Sequence, residues 1–270
     1  MNITIIGHGY VGAPLADLLS KEHTVTTISR SPSTKKHTHI TADAHKIPPH
    51  HWPEADILIH TLPPDKGPVE MYAQNVARIL SCHESHHYRP SHVIFISSCG
   101  IYDQDLPHIT EDTPINPNSE RAQRLARAEE AVRESSLPYT IIRPSRIYGP
   151  GRDGLLKNLS HGRPCLSHKD HTSHHIHVDD LVRIIAFIME HPNPRHIYIA
   201  SDPEPEKTNT IVHWLSAKTG IPLSTDNISD SLKNRARHIM PEALLEQNFV
   251  FQYPNYISGY TDILSRKTIG

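Results

Sequence analysis

The sequence predicts an α/β protein built on an open, doubly wound parallel sheet, and three observations carry that expectation. A β-branched run, Asn2-Ile-Thr-Ile-Ile6, opens at once into Gly7-His8-Gly9-Tyr10-Val11-Gly12, and a helical pattern of Leu15, Ala16, Leu18 and Leu19 follows. Strand-like and helix-like stretches then alternate to the end of the chain, as parallel sheets with crossover helices require. The 270 residues suffice to bury a full core as one α/β domain, or one with a small appendage.

The first turn is a Gly-x-Gly-x-x-Gly pattern in the context that gives it meaning, after a strand and opening a helix. In such a turn Gly7 permits the tight bend, Gly9 lets backbone approach a pyrophosphate, and Gly12 lets helix and strand pack closely. The helix N-terminus adds N–H donors and a partial positive charge. Thr24-Val-Thr-Thr-Ile28 reads as the second strand, and its end distinguishes the two nicotinamide cofactors. An acid there would bond the adenosine ribose of NAD, whereas an Arg accommodates the 2′-phosphate of NADP. Ser29-Arg30-Ser31 contains no acid, which favours NADP over NAD. In the next loop, Asp43 is an acceptor suited to the adenine amino group.

Asp56-Ile-Leu-Ile59 is a buried-type strand ending in His60-Thr61-Leu62-Pro63, followed by a helix over about 68–81 that carries Tyr72 and Asn75. His92-Val-Ile-Phe-Ile96 is the clearest buried strand. It delivers Ser97, Ser98 and Tyr102 past its carboxyl end, where open α/β sheets bind ligands. A loop rich in Pro, Asp and Thr leads to a helix over 119–135, and Tyr139-Thr-Ile-Ile142 is the next strand. It runs into Arg143-Pro-Ser-Arg-Ile-Tyr-Gly-Pro-Gly-Arg152. Asp179-Asp180 forms an acidic pair at the N-terminus of a helix ending near Glu190, and residues 195–200 form a late strand.

Composition narrows the function. A net charge of −2 with His neutral gives no electrostatic case for nucleic acid or an anionic membrane. No apolar run is long enough to span a bilayer, and a strand starting at residue 2 leaves no room for a signal peptide. Cys82, Cys99 and Cys165 lack paired spacing, which fits a reducing, cytoplasmic setting. The 23 histidines include a cluster at His168, His171, His174, His175 and His177. No Cys or carboxylate completes a recognisable ligand set, so a compositional habit is favoured over a metal.

These matches, in this order, resemble the extended short-chain dehydrogenases/reductases, the family of NAD-dependent epimerases and dehydratases. The late Tyr198-Ile-Ala-Ser-Asp202 and Tyr253-Pro-Asn-Tyr256-Ile-Ser-Gly259 look most like its atypical, YeeZ-like branch. The resemblance implies a Rossmann-type core, mainly 1–150 and 174–200, with substrate-covering elements mainly at 151–173 and 201–270. It also implies roles: Gly7, Gly9, Tyr10, Val11 and Gly12 at the pyrophosphate, Ser29 and Arg30 at the 2′-phosphate, and Asp43 at the adenine. Leu62, Pro63, Asn75 and Ser97 should lie along the cofactor, with Ser98 bonding the substrate's reacting oxygen. Arg143 and Arg152 are the cations for an anionic substrate group. Relatives often pair through two helices, so a homodimer is the assembly implied.

One departure stands out. The family's Tyr-x-x-x-Lys, in which the Lys lowers the Tyr pKa for proton transfer, should fall on the helix after the serines. Counting back from Glu129 places Arg121 at the Tyr position and Leu125 at the Lys position, and a one-residue slip offers Glu120 and Arg124. No Tyr lies between Asp103 and Pro138, and no Lys between Gly67 and Leu156. Tyr102 and Tyr148 are then the nearest phenols, and Arg121 is a cation able to bind or stabilise negative charge but not to act as a base. Two expectations result: an NADP-dependent oxidoreductase or epimerase of a small anionic metabolite with a non-standard proton relay, or a catalytically silent NADP(H)-binding regulatory protein.

Overall fold

The computed structural model describes residues 1–270 apart from 36, 65–66, 85–88, 104, 164, 169, 224–236 and 269–270, and His86 and His87 of the histidine tally lie outside the described residues. Seven strands form one sheet: β1 (Asn2–Ile6), β2 (Thr24–Ser29), β3 (Thr38–Thr41), β4 (Ile57–His60), β5 (His92–Ile96), β6 (Tyr139–Pro144) and β7 (Ile197–Ala200). Their spatial order is β7-β6-β5-β4-β1-β2-β3, and β1 to β6 are joined by parallel ladders. The order reverses between β1 and β4, so the carboxyl ends of these two strands flank the crevice at which such sheets bind ligands.

The central strands β1, β4 and β5 are apolar almost throughout because helices cover the sheet, whereas the edge strand β3, Thr-His-Ile-Thr, is polar and partly exposed. Ile3, Ile5, Ile6, Leu58, Ile59, Val93, Ile94 and Phe95 are all buried. The helices of this half are α1 (Gly12–Leu19), α2 (Val69–Glu84) and α3 (Glu120–Glu134). Pro14 falls in the first turn of α1, where a missing N–H costs no intrahelical bond. Tyr72, Val76, Ile79 and Leu80 of α2 and Ala128 and Val132 of α3 close over Phe95 and Ile141 in one core cluster.

The chain divides into two compact units, 1–103 with 114–144 and 181–198, and 104–113 with 145–180 and 199–270. The segments 104–113, 145–150 and 174–180 thus group with the second unit rather than with the sheet-bearing one, because their strands pair within it. Arg146–Tyr148 pairs in parallel with His175–His177, and His108–Ile109 with His238–Ile239. Its helices are α4 (Gly154–Ser160), the start of α5 (Val178–Glu190), α6 (Thr208–Thr219), α7 (Glu242–Glu246) and α8 (Tyr256–Thr268). Tyr148, Leu156, Leu159, Ile211, Leu215, Tyr260 and Ile263 form its core. Asp180 accepts from the backbone N–H of Gln252 at 2.8 Å and of Tyr253 at 2.7 Å, so one member of the acidic pair also fastens a distant loop. Among the described residues no helix is long and apolar enough to cross a membrane.

Burial also sets a pH dependence. His60, at the end of β4, packs against Tyr72 and Phe95 with no hydrogen-bond partner on either ring nitrogen, and burial pushes its pKa down to about 3. In the second unit burial holds His175 at about 3 and His174 at about 4. Each is neutral when folded but binds a proton when unfolded below its ordinary value of about 6.5. Their contribution to stability is therefore complete above about pH 6.5 and lost as pH falls towards 4 and 3. Urea denaturation across that range should show the decline, and His60→Phe should make it shallower. An unchanged slope in His60→Phe would contradict the assignment.

Candidate dinucleotide site and the serine loop

The first turn is closed by the chain itself at two glycines and left open at the third. Gly7 has φ +107°, and a Cβ on it would lie 2.5 Å from Thr61 Oγ1. A Cβ on Gly12 would lie 1.9 Å from the carbonyl oxygen of Gly7. Thr61 seals this turn by donating from its hydroxyl to Ile6 O at 3.0 Å and Gly7 O at 3.2 Å. Around Gly9 a Cβ would meet nothing within 4 Å. Packing alone thus explains Gly7 and Gly12, whereas Gly9 faces open space. The donor set fits a pyrophosphate: a backbone turn, a helix N-terminus just beyond it, and no acid among residues 7–12.

The rest of the expected cofactor set lies in the same unit. The Tyr72 hydroxyl donates to Leu62 O at 2.8 Å, fixing the loop of Leu62 and Pro63 against α2, which carries Asn75. Tyr10 and Val11 are half-buried at the entry to α1. At the end of β2 the Ser29 hydroxyl donates to Ser31 O at 2.8 Å, and Arg30 is exposed. Asp43 caps a short 3-10 turn by accepting from His45 N–H at 3.1 Å, and it lies 3.9 Å from Lys46 Nζ.

Past β5 the serines have different surroundings. Ser98 is half-buried and accepts from Gly100 N–H at 3.1 Å, which holds its hydroxyl at the lip of the strand. Ser97 is buried and donates to Glu129 Oε1 at 2.7 Å. Glu129, fully buried on α3, also accepts from Arg143 Nε at 3.0 Å, Arg143 Nη2 at 2.6 Å and Arg133 Nη2 at 2.9 Å. Arg143 further donates to the Tyr102 hydroxyl at 2.7 Å, with its guanidinium carbon 4.9 Å from the ring centre. Cys99 Sγ donates to Arg143 O at 3.0 Å, consistent with an inert buried thiol.

This network changes the reading of two residues. Arg143, expected to meet an anionic substrate, is 1% exposed and committed to Glu129 and Tyr102. Tyr102, expected near the reacting atoms, is 2% exposed, and burial raises its pKa despite the neighbouring guanidinium. Both are parts of the floor beneath Ser98. The sequence signal for Glu129 was its place on the stripe of Ala122, Leu125, Ala128 and Val132, all buried. A carboxylate on such a stripe needs a buried cation, and Arg143 stands at the end of an apolar strand.

On α3, Arg121 is exposed and Leu125, at the lysine position, is buried in the core. Arg124 holds Gly67 O through Nε at 3.1 Å and Nη2 at 2.8 Å. Arg152 belongs to the second unit, is exposed and pairs with Gly149 in an isolated bridge. Tyr148 is buried there, and burial followed by Asp202 raises its pKa.

Two members of the histidine cluster are bonded locally, His174 to Arg237 O at 2.8 Å and His175 to the Ser173 hydroxyl at 3.2 Å, whereas His177 lies beside the Asp179 and Asp262 carboxylates, which the sequence reading did not bring to the cluster. Among the described residues, two groups bring three metal-ligand-type atoms within 4.8 Å: Glu22, His23 and Glu190, and His177, Asp179 and Asp262. In the second group Arg266 already contacts both carboxylates, at 3.1 and 2.8 Å.

Residues 3–200 match the sequence model of the NAD dependent epimerase/dehydratase family. Protein YeeZ of Escherichia coli strain K12 is 25% identical over 275 residues, spanning 94% of this chain and 96% of YeeZ. A solved protein from Methylobacillus flagellatus, described as a candidate NAD-dependent epimerase/dehydratase, is 26% identical, with a TM-score of 0.83 over 99% of this chain and 98% of its own. UDP-glucuronic acid 4-epimerase from Bacillus cereus, solved with UDP-glucuronic acid and NAD, superposes with a TM-score of 0.82 over 100% of both chains. Its identity is 16%, so that likeness is one of fold.

The buried pair makes a prediction of its own. Removing one partner leaves a buried charge uncompensated, so Glu129→Leu and Arg143→Met should each cost about 3–5 kcal/mol of stability. The double variant should cost less than the sum, and denaturant unfolding of the four proteins checks this. Additive losses would mean the two charges do not depend on each other.

Proposed function

Because the chain belongs to the NAD-dependent epimerase/dehydratase family, we propose that it is an NADP-dependent oxidoreductase or epimerase of a small anionic metabolite or sugar derivative. The observation that carries the reading is the open space at Gly9 within a turn otherwise sealed by Thr61. The bound dinucleotide would supply or accept a hydride. Gly7, Gly9, Tyr10, Val11 and Gly12 would hold its phosphates, Ser29 and Arg30 the 2′-phosphate, and Asp43 the adenine. Leu62, Pro63 and Asn75 would line its path, with Ser97 acting only by bracing the loop. The Bacillus cereus relative was solved with NAD, and the preference for NADP here rests on Arg30 in place of an acid at the end of β2.

Ser98 is the hydroxyl we assign to the substrate's reacting oxygen, because it is the accessible polar side chain at the end of β5. Tyr102 is not proposed for proton transfer, since its phenol is buried and bonded to Arg143. Water or a group on the substrate carries the proton, and exposed Arg121 can balance negative charge without acting as a base. Arg152, on the second unit, is the cation proposed for an anionic substrate group. A second reading, an NADP(H)-binding protein without turnover, is favoured by one observation: Leu125 fills the lysine position and is buried.

Calorimetric titration should show NADPH bound in preference to NADH. Once a screen of anionic sugars and keto acids gives turnover, Ser98→Ala should lower it about 100-fold or more with NADPH affinity retained, the usual weight of a proton or oxyanion contact. Retained turnover would remove Ser98 from the chemistry. NADPH binding with no turnover across the screen would favour the second reading.

A further inference from the structure

Three imidazoles meet beside the phosphate loop. His8 lies between Gly7 and Gly9, His37 precedes β3, and His39 lies within it. His8 Nε2 and His37 Nε2 are 3.2 Å apart, and the His8 and His39 ring centres are 5.2 Å apart. His39 donates from Nε2 to Ser31 O at 2.9 Å and accepts at Nδ1 from the Thr27 hydroxyl at 2.7 Å. The cluster is therefore bonded to the turn Ser29-Arg30-Ser31, where an adenosine ribose sits in this fold. All three rings are half-buried, so each is both shielded and reachable.

One acid and one lysine face the cluster. Asp17 on α1 is the facing acid, and Lys35 already holds it at 2.8 Å. Arg30 leaves the same turn and is exposed. Burial, then the neighbouring imidazoles, holds His8 below its ordinary pKa; burial, then His39 and Lys35, does the same for His37, with Asp17 opposing in both. Without an anion the pair shares one N–H between two nitrogens and is neutral near pH 7. An anion placed among the rings reverses that balance, because an imidazolium donates from both nitrogens.

We infer that His8 and His37, with His39 bracing them against the turn that carries Arg30, form a proton-dependent subsite for a phosphate monoester, filled by the 2′-phosphate of NADP(H). The inference rests on the cofactor reading above and adds a consequence that Arg30 alone does not have. Arg stays protonated throughout, so it gives no pH dependence. The His8–His37 pair takes up a proton as the phosphate binds, so NADPH affinity must weaken as pH rises. NADH has no 2′-phosphate and should show no matching trend. Below about pH 6 the phosphate itself gains a proton, and the gain should level off.

The test is calorimetry on the full chain with NADPH, NADH and inorganic phosphate, from about pH 6.5 to 8.5, in buffers of two ionisation enthalpies. Proton uptake is expected with NADPH and not with NADH, and NADPH affinity should fall roughly tenfold over the range, the worth of one charge-assisted contact. His8→Asn and His37→Gln should each flatten the trend, and using both guards against one failing to fold. Selective NADPH binding, abolished by Arg30→Asp but with no proton uptake, would overturn the imidazole subsite and leave the cofactor reading standing. Equal affinity for NADPH and NADH would overturn the cofactor reading itself. Phosphate binding with proton uptake but no NADPH selectivity would assign the cluster to a free anion and overturn its assignment to the cofactor.

Discussion

Glu129 has no exposed surface, yet it stands on a helix that otherwise turns Ala122, Leu125, Ala128 and Val132 toward the sheet. A carboxylate there is tolerated only if its charge and lone pairs are met, and four donors meet them: Ser97, both ends of the Arg143 fork, and Arg133. Much of the floor of the site depends on that pairing. It ties α3 to β6 through Arg143, α3 to the end of β5 through Ser97, and Tyr102 back under the same loop. Ser98 follows Ser97 directly, so its place at the lip of β5 is inherited from a bond its neighbour makes. A buried ion pair contributes little net stability, and its use here is positional.

The helix that carries Glu129, α3, contains neither Tyr nor Lys. Here Leu125 joins the core, Arg124 is turned to the Gly67 carbonyl, and the nearest phenol is bonded to a guanidinium beneath the floor. The dinucleotide loop is built independently of all this. It is held by Thr61 against β1 and by the packing of Gly12 on Gly7, on the opposite side of the strand-order reversal from Ser98.

The sheet was legible because its strands are apolar runs of length and spacing that only a covered parallel sheet explains, and residues 92–96 emerged with both expected boundaries. The glycine turn was legible because its steric demands are local. Arg143 and Tyr102 were misjudged for the opposite reason. Their roles depend on a partner 14 residues from one and 41 residues between them, a pairing that no local pattern shows. The grouping of 145–150 with the second unit was hidden likewise, since it follows from the pairing of Arg146–Tyr148 with His175–His177. A stricter rule would have found Glu129: a charge on an apolar stripe needs a buried partner of opposite sign.

Substitution at Gly9 tests the proposed dinucleotide site most directly. Gly9→Ala adds a Cβ that touches no protein atom within 4 Å, so the unfolding free energy should stay within about 0.5 kcal/mol of the parent, as at an ordinary surface site. The same Cβ would stand where the pyrophosphate must approach, so dinucleotide affinity should fall at least tenfold, about 1.4 kcal/mol. Undiminished binding in a normally folded Gly9→Ala protein would contradict the account.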